Sequence, residues 1–261
     1  MLSKGVSWKM AERLGLSGMK VLQPLKGRLI KLVTFVPGDH LDRVRDAVFS
    51  AGAGFIGNYD RCGFVVSGTG SFRAGEGTNP FAGEQGQMHF ENESRFETVL
   101  FSHLRDKVVK ALLEAHPYEE VAYDLYPLEN DNVDLGLGCF GYLQDPLGER
   151  DFLDLVAGRL EAGGLRHSNL TGKMIRKVAV CGGSGSSLLS DAIACRADAF
   201  VTGDIKYHTW FDSDNSILLA DCGHFESEKF STEVLHDLII KKFPTFALRF
   251  SEVNTNPVNY F

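Results

Sequence analysis

The sequence predicts an α/β protein with a separate ferredoxin-like βαββαβ unit beside an α/β body, and three observations predict it. Residues 28–130 read in the order β-α-β-β-α-β. Residues 131–261 read instead as short apolar strands alternating with helices, joined by glycine-rich turns. The polar stretch Glu129–Asp134 separates the two patterns, and Pro24 and Gly27 punctuate the chain before the first of them. The expected boundaries are therefore 1–27, 28–130 and 131–261.

Residues 1–23 hold one short helical pattern, with Trp8, Met10, Ala11, Leu14 and Leu16 on one face and Gly15 and Gly18 near its end. A helix this short is marginal in water and must dock. Leu29–Val36 is an apolar run of strand length, Pro37-Gly38-Asp39 turns the chain, and Leu41, Val44, Ala47 and Val48 repeat at helical spacing. Cys62–Gly68 and Phe96–Phe101 are the next two strands. The loop between them, Thr69–Ser94, carries Gly70, Gly75, Gly77, Gly83 and Gly86. A phosphate cradle would lead from a strand into a helix. This glycine run joins two strands, so it predicts a long hairpin or a surface loop. Leu104–Ala115 is helical through Val108, Val109, Leu112 and Leu113, and His116-Pro117 stops it, because the residue before proline disfavours the α region. Val121–Tyr126 is the fourth strand. Two helices on one face of such a sheet can bury a core of their own.

Beyond the linker, Leu135–Leu143 is apolar and glycine-rich, and Asp151–Ala162 is helical. Val178–Cys181 is a strand leading through Gly182–Ser187 into a helix at Leu188–Arg196. Ala199–Thr202 is a strand leading into Gly203–His208. Ile217–Ala220 is a strand leading into Asp221–Glu228, where a helix begins that continues through Val234, Leu235, Leu238 and Ile239. Strands alternating with helices predict a mainly parallel sheet, with the three following loops converging at its carboxyl edge.

Composition narrows the function classes. A net charge of -7 gives no global basic field for nucleic acid or anionic membrane. No run approaches the roughly 18 apolar residues of a membrane span. The five cysteines are scattered, with no CxxC pair, which fits reduced thiols in the cytoplasm rather than a disulfide framework.

Among the three loops, His224 and Glu228 carry the chemistry. They stand one turn apart at the start of a helix, so both side chains share a face and can grip one divalent cation. On spacing alone they equally fit a helix N-terminus whose acidic residues complement the dipole. His208 follows another strand end, with Asp204 and Lys206 beside it. It is a candidate base or substrate contact, or else a solvent-exposed loop histidine. Asp221 ends its strand beside the pair, and Cys222 is read as packed. Gly182–Ser187 lacks the Lys-Ser/Thr of a P-loop and the spacing of a dinucleotide fingerprint or a nucleophile elbow, which leaves a tight strand-to-helix turn.

Taken in order, Val178-Ala179-Val180-Cys181-Gly182-Gly183-Ser184-Gly185, Thr202-Gly203-Asp204-Ile205-Lys206-Tyr207-His208 and Asp221-Cys222-Gly223-His224-Phe225-Glu226-Ser227-Glu228 resemble the Nif-three-like family, the GTP cyclohydrolase I type-two homologues. His116–Leu125 resembles the CutA/PII-like insert of its longer bacterial members. The resemblance implies a body that encloses a pair of divalent metal ions (zinc, iron or manganese) and assembles as a trimer-based homohexamer acting on a small molecule. His224 and Glu228 match its carboxyl-terminal metal ligands. His208 is carried over as a catalytic residue, and Asp204, Lys206 and Asp221 as residues behind the metal or at the substrate. The family's other ligands include a consecutive histidine pair, which this sequence lacks. Met1 falls where members are leaving their first half, so the resemblance implies a chain shortened at its amino end. A half-sheet of that kind would expose apolar surface and depend on a partner. The function implied is a metal-dependent, cyclohydrolase-like hydrolase. The rival is a non-catalytic assembly or regulatory protein with a structural metal.

Overall fold

A computed structural model describes residues 5–130 and 132–260. Met1, on which the shortened amino end turns, lies outside the described residues. The fold is mixed α/β with two sheets, and the chain divides into two compact units. One is Lys26–Asn132; the other joins the segment that ends at Leu25 to the segment that starts at Val133.

The body opens with α1 (Val6–Arg13), which buries Met10 and Ala11. It continues into β1 (Ser17–Leu25), where sequence reasoning placed only turns. Pro24 suits that strand because β1 is an edge of its sheet, where a missing N–H costs no ladder bond.

In the unit Lys26–Asn132, β2 (Leu29–Pro37), α2 (Leu41–Ser50), β3 (Gly63–Arg73), β4 (Met88–Phe101), α3 (Arg105–Ala115) and β5 (Tyr123–Leu128) follow in order. Every neighbouring pair is antiparallel, in the spatial order β3-β4-β2-β5. Leu32, Val36, Phe96 and Leu100 from the sheet meet Val44, Val48, Val108 and Leu112 from the helices in one core. The stretch read as a long hairpin or a surface loop is a hairpin whose strands reach further into it than the sequence marks. Ladder pairing runs on from Gly63–Thr98 to Arg73–Met88, so β3 and β4 form a long hairpin closed by residues 74–87.

The body resumes with β6 (Asn132–Leu147), a strand that takes in part of the expected linker and all of the glycine-rich stretch. After it come α4 (Glu149–Leu160), β7 (Arg166–His167), β8 (Ile175–Ser184), α5 (Leu189–Ala194), β9 (Ala199–Gly203), α6 (Thr209–Asp212), β10 (Leu218–Asp221), α7 (His224–Glu228) and α8 (Ser231–Lys242). The sheet order is β1-β6-β8-β9-β10-β7. Among the described pairings β8, β9 and β10 run parallel and β6 and β7 flank them antiparallel, so this part of the sheet is less parallel than expected. Successive residues of the central strands enter two cores: Val178, Val180, Val201 and Ala220 pack with α1 and α4, whereas Ala179, Phe200 and Leu219 pack with α5. With both faces covered, these strands are uniformly apolar rather than alternating.

The helix expected to run unbroken from His224 is two helices, because Phe230 drops between them into the core. α8 itself buries no residue, and Leu235, Leu238, Ile239 and Ile240 stay exposed. Among the described residues no helix is long and apolar enough to cross a membrane.

Candidate metal centre

Because β8, β9 and β10 are parallel neighbours, the segments that follow them leave the sheet at the same edge. Two glycines let those segments touch. A Cβ on Gly203 would lie 2.9 Å from the Gly223 carbonyl oxygen and 3.0 Å from the His224 Cα, so the end of β9 can reach the start of α7 only without a side chain. Gly183, with φ of +67°, passes so close to the Glu228 carboxylate that any Cβ there would collide with it.

The residue after Gly203 is Asp204, held at φ of +55°. Aspartate is one of the few side-chain-bearing residues that tolerate this left-handed region. The turn delivers Asp204 Oδ2 to 2.5 Å from His224 Nδ1, while His224 Nε2 lies 3.2 Å from Glu228 Oε2. A carboxylate at each ring nitrogen favours the imidazolium. The His224 pKa is accordingly raised, chiefly by the Asp204 hydrogen bond and further by Glu228. Ser227 ties the strand ends together, accepting from the Gly183 N–H at 2.8 Å and donating to the His224 carbonyl at 2.8 Å.

Asp221 is buried beneath this surface. Its Oδ2 accepts from the Ile205 N–H at 3.0 Å and from the Arg166 guanidinium, and its Oδ1 accepts from the Gly223 N–H at 3.0 Å. It therefore anchors the loop after β9 to the end of β10. Cys222 is fully buried, and burial pushes its thiol up to about 12, so it packs as an apolar side chain.

Asp204, His224 and Glu228 line a cleft of about 680 Å³ whose far wall is made by the carboxyl-terminal segment, including Asn256 and Tyr260. Both of these donate to buried Glu226, the Tyr260 hydroxyl at 3.2 Å and the Asn256 amide at 3.2 Å. Burial raises the Tyr260 pKa, with Glu226 adding to it. Sequence reasoning gave no role to Glu226, although it lies inside the Asp221–Glu228 motif, and missed Asn256 and Tyr260, which no periodicity or motif marks.

Two residues expected at the site are not brought to it. His208 is exposed at the start of α6, where its ring meets Tyr207 edge-on at 5.5 Å, and Lys206 is exposed with its carbonyl accepting from the Thr209 N–H. Neither lines the cleft. Ile205 explains the divergence: its buried side chain and its bond to Asp221 pin the chain immediately after Asp204, and the following residues turn away.

The residues present fit one cation. Two donors around a tetrahedral ion with bonds of about 2.0–2.1 Å stand about 3.3 Å apart, close to the 3.2 Å between His224 Nε2 and Glu228 Oε2. Asp204 lies on the opposite side of the ring and cannot share that ion. It occupies the place of the carboxylate that orients a metal-bound histidine through its other nitrogen. Among the described residues there is accordingly no cluster of three or more His, Cys, Asp or Glu side chains around one point.

The family model for Duf34/NIF3 (NGG1p interacting factor 3) matches residues 1–257. A GTP cyclohydrolase 1 type 2 homolog of Halalkalibacterium halodurans is 41% identical over 263 residues, covering 98% of this chain and 70% of that protein. The Bacillus subtilis protein of the same description is 37% identical over 262 residues, with the same coverage of 98% and 70%. Among solved structures, a Bacillus cereus protein related to NIF3 superposes with a TM-score of 0.81 at 38% identity, over 98% of this chain and 70% of that one.

Proposed function

Because the chain belongs to the Duf34/NIF3 family, we propose that its cleft holds a divalent cation and that it acts as a metal-dependent hydrolase on a small molecule, in the manner the name GTP cyclohydrolase 1 type 2 homolog suggests. The observation that carries this is the line Asp204–His224–Glu228, which pairs a histidine with a carboxylate on each side at 2.5 and 3.2 Å. His224 Nε2 and Glu228 would hold the ion. Asp204, by accepting the proton of Nδ1, fixes the tautomer that leaves the Nε2 lone pair free. A bound zinc, iron or manganese ion supplies Lewis acidity and a water acidic enough to ionise near neutral pH. Asn256 and Tyr260, held by hydrogen bonds to Glu226, also line the cleft, where a substrate's polar groups can be bound and oriented. A second ion of a family-type pair needs ligands beyond these three residues.

We further propose that the unit Lys26–Asn132 is the family's inserted CutA/PII-like ferredoxin-like domain, which the β3-β4-β2-β5 order supports. Assembly of several copies, as in the family's trimer-based hexamers, finds support in the exposed apolar side chains of α8 and of the edge strand β3, among them Ile239, Phe64 and Val66.

Metal content and hydrolysis of nucleotide and ester substrates test the reading together. The protein should retain zinc, iron or manganese, and His224→Ala or Glu228→Ala should lose both metal and turnover. Asp204→Asn should weaken metal affinity about 10–100-fold. If both alanine variants shed the metal yet keep every measurable activity, the hydrolase reading fails and the non-catalytic rival stands.

A further inference from the structure

A second concavity lies wholly within the unit Lys26–Asn132, at the loop end of the β3–β4 hairpin, and has a volume of about 440 Å³. Four aromatic residues, Phe35, Phe72, Phe81 and Tyr118, are among its lining. Tyr118 stands between Phe81, at 5.9 Å between centroids, and Phe72, at 6.1 Å, each ring tilted to the next. Its charged lining is Glu93, Glu119 and Glu120 against a single Arg73, an excess of acid in a wall otherwise made of aromatic, small and hydroxyl side chains.

The polar parts are built rather than scattered. Tyr118 donates its hydroxyl to Glu93 Oε1 at 2.9 Å. The other oxygen of Glu93 lies over Gly70, which has no side chain to compete for that space. Tyr118 is itself fixed from behind: its N–H donates to His116 Nδ1 at 3.1 Å, and His116 Nε2 is 3.0 Å from the Phe35 carbonyl. On the same strand Glu97 is paired with cations, Lys31 and Arg95 at 3.1 and 2.8 Å, and Glu91 contacts the His89 ring at 3.0 Å. Among the described residues, Glu93 has no such cation.

Aromatic faces with a carboxylate behind them attract cations whose charge is spread over methyl groups, because the ring quadrupole supplies attraction where a water shell is absent. An anion would meet three carboxylates. A purely apolar ligand would leave them desolvated without a partner. We propose that this pocket binds a quaternary ammonium compound, its head group seated on Phe72, Phe81 and Tyr118 with Glu93 as counter-charge.

Calorimetric titration of the whole chain, in a buffer free of amines, tests this with choline, tetramethylammonium and the neutral choline isostere 3,3-dimethylbutan-1-ol. Choline and tetramethylammonium should saturate, and the neutral isostere should bind about 10-fold more weakly, the difference expected of a partly desolvated cation–π contact. Phe81 is 54% exposed on the hairpin loop, so Phe81→Leu should leave the fold intact while weakening choline about 5–10-fold. Glu93→Gln should weaken choline and leave the isostere unchanged. The proposal is overturned if neither cation binds up to tens of millimolar, if choline and its neutral isostere bind equally, or if Phe81→Leu and Glu93→Gln leave choline binding unaltered in folded protein.

Discussion

The unit Lys26–Asn132 closes its core from one uninterrupted stretch of chain, whereas the body draws one sheet from two stretches that lie on either side of that unit in sequence. In the first, both long helices bury their apolar faces: α2 through Val44 and Val48, α3 through Val108 and Leu112. In the second, the buried charged group Asp221 carries connections between strand ends, and the last helix buries nothing. The difference teaches where each unit's stability resides. The unit is held by packing, so a cavity should hurt it most. The cleft end of the body is held by a polar clasp, so an orphaned hydrogen bond should hurt it most.

The largest effect should come from Phe96→Ala. Phe96 has no exposed surface and meets Phe49 edge-on at 5.7 Å, so its loss should cost about 3–5 kcal/mol. Hydrogen exchange read strand by strand should show amides of β2 and β4 deprotected while those of β8 and β9 keep their protection. Equal loss in both would mean the units unfold together, and the comparison would break.

Asp221→Ala should act in the opposite unit. It leaves the N–H groups of Ile205 and Gly223 without an acceptor, at a cost of about 2–3 kcal/mol. Arg166 is 62% exposed at its side chain, so water replaces much of that ion pair and little of the loss belongs to it. Urea unfolding followed by exchange should place the loss in β9 and β10. Metal retention should fall too, because the Asp204 turn hangs from this clasp.

Legibility in the sequence follows the same division. Contiguous periodicity marks α2, α3 and the four strands of the unit, and only the length of the β3–β4 hairpin escapes, since Ser67–Ser71 and Glu91–Glu93 lack apolar alternation. In the body, β1 is masked by Pro24, and the two-residue β7 by its brevity. β6 is masked by glycines that let it lie close to β1: a Cβ on Gly141 would stand 2.9 Å from the Ser17 carbonyl oxygen. At the cleft, three strand-end residues singled out from the sequence, Asp204, His224 and Glu228, lie together, whereas His208 lies away from them, because proximity in sequence to Asp204 says nothing about the turn that Ile205 imposes. Asn256 and Tyr260 depend on the carboxyl-terminal segment folding back, which no local pattern records.

The smallest expected effect separates the two kinds of stabilisation within the unit itself. His116 is buried, and burial lowers its pKa; the nearby His40 lowers it further, while the bond to the Phe35 carbonyl works against both. The Tyr118 N–H must donate to Nδ1, so the ring is neutral with its proton on Nε2. A folded pKa below the unfolded value of about 6.5 means the neutral form is the stabilising one. Its contribution is complete above about pH 6.5 and is lost as the pH falls from there through the lower, folded value. Protonation would turn Nδ1 from acceptor to donor against the Tyr118 N–H, loosening the ring that sits between Phe72 and Phe81. Denaturation midpoints for the unit should therefore decline gently on acidification. In His116→Gln, whose amide can both donate and accept but cannot titrate, the decline should flatten while stability near neutrality is nearly kept. A slope that survives His116→Gln would assign the acid sensitivity to the β4 carboxylates Glu91 and Glu97, whose pKa values are lowered chiefly by their hydrogen bonds to His89 and Lys31, and not to the buried ring.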